Sequence, residues 1–146
     1  MEDREDSEVT NEQIRQKDTA TQINNLINLL EKREAILLIR LSYKIVPSNL
    51  LDIYYISNEK EKEEIIKKMK LSEKKNISSL QNYSLQEKKI STLTFVGNYL
   101  AMFSQNYKFS ELIKLLNKSE NSARRLKKDS FKKLQDLAKE KNLNFY

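Results

Sequence analysis

A chain of 146 residues is long enough for one compact domain, or two small ones sharing a core. With no Cys and no His, it has no disulfide framework and no thiolate metal site, and it lacks the commonest general base and metal ligand. A single Gly and a single Pro, against ordinary usage of roughly 7% and 5%, argue against tight hairpins and for helices joined by short polar turns. The net charge of +6 is unevenly spread. Residues 1–17 hold six acidic and three basic groups, whereas residues 106–146 hold eleven basic and five acidic ones. Such a basic block suits a polyanion. A solvated lysine-rich helix face is the plain alternative.

Residues 1–17 form an acidic segment, and its first dozen residues are almost free of large apolar groups. The expectation is disorder, because too little surface can be buried to offset the entropy of ordering. An acidic start is also the opposite of a secretory signal, and the apolar run Ala35–Leu41 is too short to span a bilayer. An intracellular, cytoplasmic location follows as the expectation.

A helical stripe then runs from about Asp18 to Lys44. Ile23, Leu26, Ile27, Leu30, Leu37, Leu38 and Leu41 recur at spacings of three and four, and Ala35, Ile36 and Ile39 widen the stripe to that of a central core helix. Pro47 closes this element. Ser48 is a candidate cap for a short helix, Asn49–Ile56, and Ser57 for the next, Asn58 to about Leu71. Ser72–Tyr83 reads either as helix or as loop. Ser84-Leu-Gln-Glu87 is a capping box that predicts a helix to about Gln105. Gly97 inside it suggests close approach of another helix. Residues 18–105 together make a support bundle.

The last 41 residues predict a short amphipathic helix, Phe109–Leu116, a turn at Asn117-Lys118 and a final helix from Ser119 to about Lys141. Asn tolerates the left-handed conformation at which such helices end. In the final helix Ala123, Leu126, Ser130, Phe131 and Leu134 form one side. Glu120, Asn121, Arg124, Arg125, Lys127 and Lys128 mostly form the other. This is the layout of a helix-turn-helix, in which the second helix reads base edges from its N-terminal half. Arg suits guanine and Asn suits adenine, while lysines take phosphates. A shared serine spacing, Ser48 to Ser57 and Ser110 to Ser119, fits either a duplicated helix-turn-helix or coincidence.

Residues 108–134 resemble region four of the sigma factors of bacterial RNA polymerase, especially the primary type. Phe109-Ser-Glu-Leu-Ile-Lys-Leu-Leu-Asn-Lys-Ser119 parallels that family's first helix and turn without a gap. Glu120-Asn-Ser-Ala-Arg-Arg-Leu-Lys-Lys-Asp-Ser-Phe-Lys-Lys-Leu134 parallels its arginine-rich second helix. Two departures stand out: Lys118 occupies a usually apolar position, and Ala123 is smaller than the usual Val or Ile. No segment upstream resembles the aromatic-rich promoter-melting region. The resemblance implies that Glu120, Asn121, Arg124 and Arg125 face DNA, and that Lys132 and Lys133 lie near phosphates or the polymerase.

The sequence holds no phosphate loop, no nucleophile beside a base and no metal-ligand cluster. Tyr43, Tyr54, Tyr99 and Phe103 fall on apolar stripes, where core packing accounts for them better than base stacking does. The expectation is therefore an all-α bundle of five to six helices that binds and does not catalyse, with no cofactor and no metal. Its nucleic-acid-binding residues are Ser119, Glu120, Asn121, Arg124, Arg125, Lys127, Lys128, Lys132 and Lys133. Its expected partners are DNA, an RNA polymerase or another nucleic-acid machine, and a second copy in a homodimer, with no membrane. Two roles compete. One is a small DNA-binding transcription regulator. The other is a basic structural or interaction protein, of viral or plasmid type, that docks on a polymerase, ribosome or virion component without reading sequence.

Overall fold

The computed structural model describes residues 19–69, 74–85 and 93–142. Among these, seven α-helices and one 3-10 segment account for the regular structure, with no strand. The helices are α1 over residues 19–27, α2 Arg33–Tyr43, α3 Leu50–Ile56, α4 Glu59–Lys68, α5 Thr94–Phe103, α6 Phe109–Leu115 and α7 Glu120–Glu140. The 3-10 segment, Lys74–Asn82, lies between α4 and α5. An isolated antiparallel bridge joins Asn49 to Ser84. The all-helical class matches the expectation, and the count exceeds it.

The extra helix arises because the long stripe beginning near Asp18 is broken at residues 28–32. Neither Gly nor Pro causes the break. The amides of Leu29 and Leu30 bond the carbonyls of Leu26 and Ile27, which tightens the end of α1. Lys32 is then extended at φ −99° before α2 begins. The fold thereby buries Leu26, Ile27 and Leu30 in the same interior as α2. One straight helix of that length would expose much of its stripe, and each buried Leu or Ile contributes about 1.5–3 kcal/mol.

α2 is the central helix. Every residue from Ala35 to Leu41 is buried, and α3, α6 and α7 all pack on it. Around it gather Leu50, Leu51, Ile53, Tyr54 and Ile56 of α3, with Ile65, Leu80, Leu93, Val96, Tyr99, Phe103 and Leu112. The core thus runs through both the support bundle and the basic C-terminal segment.

Within that core sits one ion pair. The Arg40 guanidinium lies 3.5 Å from the Asp52 carboxylate, and neither side chain is more than 1% exposed. Arg40 also donates to Asn24 Oδ1 (2.6 Å), Asn28 Oδ1 (3.1 Å) and the Ile45 carbonyl (3.2 Å). Asp52 accepts from Asn28 Nδ2 (2.7 Å), the Ser48 amide (2.8 Å) and the Ser48 hydroxyl (3.0 Å). These bonds replace water around two buried charges, leaving the Arg40 Nε–H without a partner among the described residues. They also tie α1, α2 and α3 together at fixed registers.

Several boundaries differ from expectation for local reasons. α2 ends at Tyr43, ahead of Pro47, because Lys44 takes the left-handed conformation (φ 55°) and the Ile45 amide returns to Arg40 O. Asn49, not Ser48, caps α3 by accepting from the Asp52 amide; Ser48 instead serves Asp52. Asn58, not Ser57, caps α4, with Glu61 closing the reciprocal bond; the buried Ser57 hydroxyl donates to Ile53 O. The expected end of that helix near Leu71, and residues 86–92 of the helix predicted to start at Ser84, lie outside the described residues. So do residues 1–18, including the acidic segment. Where described, the latter helix spans Thr94–Phe103, and Ser84 sits in the bridge to Asn49. The close approach expected at Gly97 is not seen among the described residues: a Cβ built there meets nothing within 4 Å.

Candidate nucleic-acid interface

The basic segment is shaped by its turn. α6 starts where the Glu111 carboxylate accepts from the Lys108 amide at 3.3 Å. At its other end Asn117 is left-handed (φ 54°). The Asn117 amide bonds Lys114 O and the Lys118 amide bonds Ile113 O, both at 3.1 Å. This paired closure satisfies two carbonyls at a helix end and sets the direction in which the chain leaves. Ser119 then caps α7, its hydroxyl oxygen accepting from the Ser122 amide at 3.2 Å. Leu112 on α6 and Ala123 on α7 are buried, and both helices rest on α2. Ala123 is completely enclosed.

The nine anticipated residues do not form one surface. Asn121, Arg125, Lys128 and Lys132 are exposed and recur at spacings of four, three and four, so they make one outward stripe along α7. Asp129 and Asp136 flank that stripe on one side and are exposed as well. Arg124, Lys127 and Lys128 line a cleft on its other side, together with Tyr43, Phe109 and Phe131. Lys133 lies on the far flank, 3.5 Å from Glu31. Ser119 is spent on its cap. Glu120 occupies the first turn, where a carboxylate complements the helix dipole, and holds Arg124 at 2.6 Å. With both partners more than half exposed, that pair is worth only a few tenths of a kcal/mol.

Two of the cations already have aromatic neighbours. The Arg124 guanidinium carbon lies 5.6 Å from the centroid of Phe109. Lys127 Nζ lies 5.3 Å from that of Tyr43 and 5.8 Å from that of Phe109. Arg125, Lys128 and Lys132 remain on the outer side of the helix, in solvent.

Tyr43 and Phe131 depart from the expected core positions. They are 47% and 43% exposed, against 5%, 7% and 8% for Tyr54, Tyr99 and Phe103. Position round the helix gave no signal for either: Ile36 and Ile39 stand within about 40° of Tyr43, and Ala138 within about 20° of Phe131, and all three are buried.

Among the described residues no cluster of acidic side chains could hold a metal ion, and no helix is long and apolar enough to cross a membrane. Comparison with protein-family models, with curated proteins and with solved structures gives no match.

Proposed function

We propose that the chain is a DNA-binding protein in which α6, the Asn117 turn and α7 act as a helix-turn-helix, and that it serves transcription as a small cytoplasmic regulator. The observation that carries this is the outward stripe. A capped helix of 21 residues presents Asn121, Arg125, Lys128 and Lys132 on one face, its other side held against α2 by a turn with two closing bonds. A recognition helix needs this combination of a rigid seat and a free polar face. Arg125 and Asn121, near the helix start, are the base readers, and Lys128 and Lys132 take phosphates. Arg124, which the sigma resemblance also assigns to DNA, is instead drawn toward Phe109 and Glu120. A polymerase contact or a homodimer would use the support helices.

The test is selection of bound sequences from random duplexes near physiological salt. A preferred site should emerge that survives excess random competitor. At that site Arg125→Ala should cost about 1–3 kcal/mol, and Lys132→Ala should weaken all sequences alike and lower the salt slope by about one. Enrichment of no motif would favour the rival role of a basic docking protein that does not read sequence. The observation on that side is that Arg124, Lys127 and Lys133 are each already engaged within the chain.

A further inference from the structure

The cleft beside the stripe has a composition that duplex recognition leaves unused. Three rings border it. Phe109 is half-buried, whereas Tyr43 and Phe131 expose nearly half of their surfaces. The Tyr43 and Phe131 rings lie 5.9 Å apart at 34°, tilted and not stacked flat on one another. Arg124, Lys127 and Lys128 complete the lining, and Glu120 reaches the same region only as the partner of Arg124. The cleft is shallow and open to solvent, with room for about 500 Å³.

The chemistry of the walls narrows the occupant. Three cations repel a cationic ligand, so an ammonium-binding aromatic cage is excluded. An aliphatic side chain would leave the cations unanswered. An acidic peptide would answer them and leave the rings in water. A flat aromatic group attached to an anion satisfies both, and a nucleotide is such a group. Within a duplex both faces of a base are covered by its neighbours, so the ring must come from an unpaired strand. Lys128 belongs to the cleft and to the outward stripe at once. A strand whose phosphates follow the stripe therefore passes the mouth of the cleft.

We propose that the cleft between α2, α6 and α7 takes an unpaired base of a single-stranded nucleic acid, with Tyr43 and Phe131 as the stacking surfaces and Lys128 joining it to the backbone track. The proposal rests on α7 binding nucleic acid, but not on its reading a duplex.

The test is fluorescence anisotropy of the full chain with three labelled probes: a thymidylate strand of about a dozen nucleotides, the same strand carrying base-free deoxyribose at its central positions, and a duplex of equal length. The intact strand should bind more tightly than the base-free one, by roughly five- to hundredfold. Tyr43→Ala with Phe131→Ala should abolish that preference and leave duplex binding unchanged, whereas Phe131→Tyr should keep it. Circular dichroism of each variant should show the unchanged helical fold, since both rings are nearly half exposed. Equal binding of intact and base-free strands would overturn the proposal, as would discrimination that survives the double substitution. Competition by free thymidine monophosphate as strong, per nucleotide, as by the strand would overturn the choice of occupant. The duplex reading fails separately, if Arg125→Ala and Lys132→Ala leave duplex binding untouched.

Discussion

Arg40 on α2 and Asp52 on α3 face each other at 3.5 Å in the interior, and their remaining bonds reach Asn24, Asn28 and Ser48. Burial lowers the affinity of the Arg40 guanidinium for its proton, and the Asp52 charge opposes that effect. Arg40→Met or Asp52→Asn alone strands one buried charge and should cost about 3–5 kcal/mol in urea denaturation. Removing both charges with Arg40→Met and Asp52→Asn together should cost clearly less than the sum of the two. Additive losses would show that the two do not act as a pair.

Left-handed residues close α2 and α6, and neither is glycine. Lys44 carries a Cβ into a region that disfavours it by about 1–2 kcal/mol, whereas Asn117 is better suited to it. Lys44→Gly should therefore leave stability unchanged or raise it slightly, by up to about 1 kcal/mol. Asn117→Val should lower it by about 1–2 kcal/mol. Thermal unfolding of the two variants checks the contrast, and a destabilised Lys44→Gly would contradict it.

Gly97 offers the opposite case. It lies inside α5, exposed, with open space where a Cβ would go. Gly97→Ala should stabilise by about 0.5–1 kcal/mol through helix propensity alone. A lower melting temperature for this variant would mean that the site has a neighbour.

These positions show what the sequence discloses and what it withholds. The α6 turn was legible because Asn117 and Ser119 act on backbone groups a few residues away. α2 was legible as a core helix because its apolar residues extend all round. The break at residues 28–32 was not: no Gly or Pro marks it, and what stabilises it is tertiary, in the bonds of Asn28 to Arg40 and Asp52. Arg40 is a charge inside the apolar run Ala35–Leu41, but its partners lie 12 and 16 residues upstream and on the next helix, beyond any local pattern. The candidate site divided similarly. The stripe follows from spacing on one helix, whereas the cleft needs Tyr43 of α2 beside Phe131 of α7, a contact made only by the fold.

Tyr99 links three helices and makes stability depend on pH. Its hydroxyl donates to Glu61 Oε1 at 2.8 Å and accepts from Arg33 Nη2 at 3.1 Å. Burial raises its pKa above the ordinary 10.0; the hydrogen bond from Arg33 pulls it down and Glu61 pushes it up, with a net upward shift. A folded pKa above the unfolded one favours the neutral phenol in the native state. The resulting stability is complete below about pH 10 and is lost as pH rises through the folded value. Alkaline titration of tyrosinate absorbance should show late-ionising groups, Tyr99 and also Tyr54, whose phenol burial likewise raises. Tyr99→Phe should remove one of them. Ionisation of all tyrosines together near the ordinary value would rule this out.

Because α2 carries Arg40 of the buried network and also seats the basic helix α7, the two should unfold together. A ligand seated on α7 binds the folded form alone and so draws molecules out of the open states. If nucleic acid seats there, the buried amide protons in the middle of α2 should exchange with solvent more slowly in its presence. Occupancy at the surface would then be read in the opening of the innermost helix, with no change of shape required to carry it there.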